Sequence, residues 1–151
     1  MEFNQDFRDM LLALSDADVD FLVVGAYAVA VHGFPRATGD LDIWVRADNS
    51  SAPKVLSALK VFGAPMHELT EADFASPSVV FQIGVPPGRI DILTIVSGLQ
   101  FDSAWKNRIE LTIDDVTFPV IGRSDLITNK RATGRPKDLA DIAGLEAGDD
   151  G

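Results

Sequence analysis

Phe3, Phe7, Met10, Leu11 and Leu14 recur at three- and four-residue intervals, the spacing of one apolar helix face, so residues 3 to 17 are predicted to form an amphipathic helix. Asp16-Ala17-Asp18 breaks it. Phe21-Leu22-Val23-Val24 is apolar without alternation, which predicts a central strand buried on both faces and not an edge. Gly25 allows a tight turn, and the small residues of Ala26 to His32 suit a short helix lying close against a sheet, stopped by Gly33 and Pro35. Alternation then sets in. In Asp40-Leu41-Asp42-Ile43-Trp44-Val45, side chains on a strand take opposite faces in turn, so Leu41, Ile43 and Val45 can enter a core while Asp40, Asp42 and Trp44 share the other face.

Ser50, Ser51 and Pro53 read as a helix start, and Val55, Leu56, Leu59 and Phe62 supply its apolar face up to Gly63-Ala64-Pro65. Residues 66 to 78 carry little periodicity and are expected to be a loop that faces a substrate. Val79 to Val85 and Arg89 to Thr94 are predicted strands of one hairpin around Pro86-Pro87-Gly88, with Asp91 a third acid inside an apolar strand. Phe101 to Asn107 suits a helical turn, and Ile109 to Ile113 and Val116 to Val120 suit short strands around Asp114-Asp115. A final helical region starts at Ser124, and the acidic, glycine-rich stretch 146–151 is expected to be a flexible tail on a single domain spanning 1–145.

Composition narrows the functions open to such a chain. With 151 residues, 46% of them hydrophobic, it suits one domain with a real core. The absence of cysteine excludes a disulfide framework, a thiol nucleophile and a cysteine zinc site, and agrees with a cytoplasmic setting. The acidic start lacks a signal-peptide pattern, and no apolar run reaches membrane-spanning length, so no membrane partner is expected. A net charge of -10 argues against unspecific duplex nucleic-acid binding, which rests on Lys and Arg meeting phosphates.

The acids carry the candidate chemistry. Two carboxylates at i and i+2 on one strand face repel each other and are poor strand formers, a placement that a divalent cation would relieve. Mg²⁺ takes one or two carboxylates and completes its shell with water and substrate phosphates. Gly25, between a buried strand and a helix start, offers backbone N–H groups to a phosphate, and Arg36 and Thr38 stand just ahead of the acids, where both can meet phosphate oxygens. Plainer readings exist for each. Asp40 and Asp42 can serve as solubility or edge charges, Asp91 can pair with Arg89 or Arg36, and the cations Lys130, Arg131, Arg135 and Lys137 can pair with Asp138 and Asp141. Tyr27 and Trp44 are read as packing, and His32 and His67 receive no role.

Taken together, Val24-Gly25-Ala26, the spacer Tyr27 to Gly39, Asp40-Leu41-Asp42-Ile43 and the later Ile90-Asp91-Ile92 resemble the pattern of the DNA polymerase beta-like nucleotidyltransferase superfamily. Gly25 to Gly33, Arg36 to Asp42, Asn129-Lys130-Arg131 and Lys137 to Ile142 are similar to the small bacterial stand-alone members of abortive-infection and toxin-antitoxin systems. The resemblance covers roughly residues 20 to 145. It implies an α/β (α+β) fold, with a mixed central β-sheet flanked by α-helices. It also implies transfer of an NMP from an NTP to a hydroxyl of a protein, RNA or small molecule. On that reading Asp40, Asp42 and Asp91 are catalytic and hold Mg²⁺ (or Mn²⁺), while Gly25, Ala26, Arg36, Thr38 and Lys130 bind the nucleotide.

Ala26 departs from the pattern, since many active members have a serine there whose hydroxyl helps hold the triphosphate. Gly is also common at that position, and backbone N–H groups with Thr38 can serve the same oxygens. The alternative is a catalytically weakened protein on the same fold, acting as an antitoxin or binding module with a partner toxin. Convergence of the three acids beside Gly25 is the feature that separates the two.

Overall fold

The four apolar residues Phe21–Val24 form β1 in the middle of the sheet, where every one of them is buried. This computed structural model describes residues 4–33, 39–67, 69–77, 80–85 and 88–148. In chain order the elements are α1 (Gln5–Asp16), β1 (Phe21–Val24), α2 (Gly25–Val31), β2 (Leu41–Val45), α3 (Ala52–Phe62), α4 (Glu71–Ala75) and β3 (Val80–Ile83). There follow β4 (Ile90–Leu93), α5 (Phe101–Lys106), β5 (Ile109–Ile113), β6 (Val116–Val120), α6 (Arg123–Thr133) and α7 (Pro136–Gly148).

The strands make one mixed sheet in the order β3-β4-β2-β1-β6-β5. β1 pairs antiparallel with β2 and parallel with β6, and β2 pairs parallel with β4. Two hairpins, β3–β4 and β5–β6, close the flanks. Helices cover the sheet, with α1 packed on α3 and β6, and α2 on β1, β2 and α6. The expected α/β architecture is therefore the observed one.

Phe7, Met10, Leu11 and Leu14 of α1 are buried, as their spacing requires, and join Phe21, Leu41, Ile43, Leu59 and Phe118 in one core. A fully buried side chain of this size contributes about 1.5–3 kcal/mol. Leu41, Ile43 and Val45 enter that core completely. Trp44, on the other face with Asp42, is covered by Phe101 of α5, ring centroids 5.1 Å apart and nearly perpendicular. Both aromatics read as packing, Tyr27 and Trp44, are buried.

Three elements differ from expectation. The stretch 66–78 contains the helix α4, whose Thr70 and Asp73 form a reciprocal capping box and whose Phe74 is buried. Five residues with one fully buried side chain are too short to show helical periodicity. The final helical region is two helices, divided at Gly134, which takes a left-handed φ of 64° that L residues avoid. α7 continues through Gly148, anchored by buried Leu145 and by an Arg131–Glu146 ion pair at 3.0 Å, so the tail begins as helix. Residues 149–151 lie outside the described residues. No helix among the described residues is long and apolar enough to cross a membrane.

Candidate active site

Strand register places the acids. In the β2–β4 ladder Asp42 stands opposite Asp91, and in the β1–β2 ladder it stands opposite Val24, the residue before Gly25. Parallel neighbours lie about 4.8 Å apart and point to the same face, so the two carboxylates must meet. When one of them is protonated they can share a hydrogen bond. Asp40 and Arg89 lie one step earlier on each side, before the strands proper, where the Leu41 amide donates to the Arg89 carbonyl at 2.9 Å. Asp40, Asp42, Arg89 and Asp91 thus make a two-by-two array on one sheet face.

Arg89 holds this array together. Its Nε lies 2.9 Å from Asp91 Oδ1 and its Nη2 3.2 Å from Asp91 Oδ2, a two-point contact, while Nη2 also lies 3.8 Å from Asp40 Oδ2. The Arg89 amide donates to Asp40 Oδ1 at 3.2 Å. Asp91 is 7% exposed. Burial, followed by the charge of Asp91 and the hydrogen bond shared with it, then the charge of Asp40, pushes the Asp42 carboxyl up to about 6, against a partial pull from Arg89.

Gly25 is required where it stands for two reasons. Its φ of 69° is left-handed, and a Cβ there would overlap Asp42 Oδ2 and lie 3.0 Å from Asp42 Cγ. Only a glycine lets the turn after β1 close against the acid. Gly25 and Ala26 open α2 at the rim of a cleft of about 500 Å³ into which the acids face.

The opposite wall comes from α6 and α7. Asn129, Lys130, Thr133, Arg135, Lys137 and Asp138 line it. Lys130 is almost fully buried, with Nζ 3.3 Å from Asp138 Oδ1 and 3.1 Å from Asp141 Oδ2. Asp138 is fully buried, and although burial opposes its charge, hydrogen bonds from Arg135 and Thr133 and the charge of Lys130 hold it well below the usual carboxylate range. Lys130 and Arg135 of the basic run thus pair with buried acids, and the exposed Lys137 reaches the cleft. A second cavity of about 540 Å³ adjoins the first along Ile95, Val96 and Ser97, and is lined by Trp44 and Phe101.

Of the residues singled out in the sequence, Asp40, Asp42, Asp91, Gly25, Ala26 and Lys130 all line the one cleft. Arg36 and Thr38 lie outside the described residues. The Thr133 hydroxyl, which donates to Asp138 at 2.6 Å, and the second cavity had no sequence signal, because both depend on where α5, α6 and α7 pack. Among the described residues, no group of three acids or histidines already stands as a formed metal site. The donor set nevertheless suits a hard divalent cation. It offers only oxygen ligands, and the repulsion among Asp42, Asp91 and Asp40, which adds to burial in raising the Asp42 carboxyl, is what a cation would relieve.

The family model described as "Nucleotidyltransferase of unknown function (DUF6036)" matches residues 2–146. The lincosamide antibiotic adenylyltransferase LnuA, solved with lincomycin bound, superposes with a TM-score of 0.61 at 18% identity, covering 96% of this chain and 97% of that one. A Thermotoga maritima protein assigned as a nucleotidyltransferase superposes with a TM-score of 0.62 at 15% identity, covering 95% and 91%. These likenesses are of fold. No curated protein matches the sequence.

Proposed function

This chain belongs to the DUF6036 family of nucleotidyltransferases, and from that premise we propose that it moves an NMP from an NTP to a hydroxyl on an acceptor molecule, with Mg²⁺ or Mn²⁺ as cofactor. The observation that carries the reading is the convergence of Asp42 and Asp91 beside Gly25, in a cleft whose far wall holds Lys130, Arg135 and Lys137. Acids on one wall and cations on the other suit a metal-bound triphosphate laid between them.

In this proposal Asp40, Asp42 and Asp91 hold the metal. A bound divalent cation offsets phosphate charge and lowers the pKa of the attacking hydroxyl. The acceptor oxygen attacks the α-phosphorus in line, the bond from that phosphorus to the bridging oxygen breaks, and pyrophosphate leaves with the electron pair. The proton of the attacking hydroxyl passes to the Asp91 carboxylate, which would be unprotonated with the metal held there. Gly25 and Ala26 receive phosphate oxygens on their backbone N–H groups, Lys137 and Lys130 contribute positive charge, and Arg36 and Thr38 act from the segment before the acids. The chain mainly positions and neutralises, as in phosphoryl transfer generally.

A second reading keeps the fold and drops the catalysis, leaving an antitoxin or binding module with a partner toxin. Ala26 favours it, having no hydroxyl for the phosphates, as does the pairing of Lys130 with Asp138 and Asp141. Calorimetry with each of the four NTPs and Mg²⁺, on the wild type and on an Asp40→Asn/Asp42→Asn double variant checked for folding, separates the two. Metal-dependent binding lost in the variant supports the transferase. No binding of any NTP to the wild type supports the module.

A further inference from the structure

Three carboxylates and one guanidinium share a single array on the β2–β4 face, and the guanidinium is itself bound to two of the three. Arg89 donates to Asp91 from Nη2 at 3.2 Å, brings Nε within 2.9 Å of Asp91 Oδ1 as an ion-pair contact without hydrogen-bond alignment, reaches Asp40 at 3.8 Å, and fixes its own backbone to Asp40 through the amide at 3.2 Å. Among the described residues its side-chain partners are Asp40 and Asp91, acids that the proposed reaction assigns to the metal. We propose that Arg89 is the resident counter-ion of the carboxylate site. It holds the position of charge balance until a divalent cation displaces it, and it then turns to the phosphates of the nucleotide. The inference rests on the transferase reading, to which it adds a coupling device.

Two cations compete for the same carboxylates. A charge-assisted guanidinium–carboxylate hydrogen bond, backed by a second close contact and largely shielded from water, resists displacement, and Mg²⁺ gives up its water shell reluctantly. A metal arriving alone must therefore break the Arg89–Asp91 contact with nothing to receive the guanidinium. A nucleotide changes this. Phosphate oxygens match the guanidinium fork as well as a carboxylate does, so the released side chain regains a partner. Metal and nucleotide then each favour the other's binding.

Lys130 is placed differently. Its side chain is 7% exposed and its partners, Asp138 and Asp141, are on α7, outside the metal-binding set. Nothing in metal binding frees it. Arg89 is 28% exposed, lies on the cleft wall, and loses its partners at the moment the acids take a cation. The anchored amide keeps the base of the side chain in place while the guanidinium moves.

The test is Mn²⁺ affinity of the full chain, read by electron paramagnetic resonance. It is measured alone and with each of the four α,β-methylene NTP analogues, which cannot be transferred, on wild type, Arg89→Gln and Arg89→Lys, all checked by circular dichroism. The wild type is expected to bind Mn²⁺ roughly tenfold or more tightly with nucleotide than without it, within the usual range of coupling between sites. Arg89→Gln is expected to bind Mn²⁺ alone at least severalfold more tightly than wild type and to lose most of that coupling. If Arg89→Gln does not fold, Arg89→Lys carries the test, its single-point contact giving a smaller change in the same directions. A folded variant that binds Mn²⁺ alone no more tightly than wild type, or whose coupling is unchanged, overturns the proposal and leaves the transferase reading standing. Failure of every form to bind Mn²⁺, with or without nucleotide, overturns both.

Discussion

Asp42 and Asp91 stand opposite each other in the parallel β2–β4 ladder, with the backbone of Gly25 closed against Asp42 on its other side. Two acids held this close without a bound cation are a local source of instability. The ladder supplies the contact, and the surrounding core keeps it.

That relationship makes the metal-free chain pH-sensitive. The Asp42 carboxyl is raised from 3.8 to about 6 on folding, so between those values the folded chain holds a proton that the unfolded chain has released. Stability therefore falls as pH rises through that window and stays lower above it. Asp42→Asn is expected to be more stable than wild type at pH 7 by on the order of 1–2 kcal/mol, with the difference closing below about pH 4. Thermal melts in chelator across pH 3.5–8 measure this. Raising Mg²⁺ at pH 7 should stabilise the wild type and not the variant.

Gly25→Ala meets two penalties at once, a left-handed φ and an overlap with the Asp42 carboxylate. Such a change is expected to cost roughly 1–3 kcal/mol. It should also push the acid out of register with Asp91, so that metal-dependent nucleotide binding falls by more than the loss of folded protein explains. Denaturant melts and calorimetry on the folded fraction provide the two readings.

Lys130 and Lys137 should separate cleanly. Removing Lys130 leaves Asp138 and Asp141 buried without their ammonium, so Lys130→Met is expected to lose about 3–5 kcal/mol. Adding Asp141→Asn should restore part of it. Lys137 is exposed on the cleft wall, and Lys137→Ala should leave the melt within about 0.5 kcal/mol while weakening nucleotide binding severalfold, most visibly at low salt. Equal effects on stability would mean that the two lysines do not divide the work in this way.

Asp138 gives a second pH signature of the opposite sign. Its carboxyl is held below its ordinary 3.8, so the stability it confers is complete above that value and is lost as pH falls beneath it. Asp138→Asn is expected to unfold at a pH nearer neutrality than wild type in an acid titration followed by circular dichroism.

Much of this was legible along the chain. The unbroken run Phe21–Val24 could be nothing but a central strand, the acids at 40 and 42 had to share a face, and Asp91 stood out in an apolar strand. α4 was missed because a single buried residue, Phe74, has no period to display, although Thr70 and Asp73 carried a capping signal. The pairing of Lys130 with Asp138 and Asp141 could be weighed as one reading but not chosen, since opposite charges nearby in sequence pair across a helix junction only if the junction folds back. Gly134 makes it do so.

By itself the sequence determined the elements, the face on which each acid stands and the kind of ion such acids suit, because alternation along a strand and periodicity along a helix are local geometry. Only the tertiary structure decided that β2 and β4 are neighbours with Asp42 against Asp91, that Arg89 lies among the acids, and that Lys130 is paired within the fold. Those contacts join residues far apart in the chain, and their register is chosen by the packing of the whole core rather than by any residue's own preference.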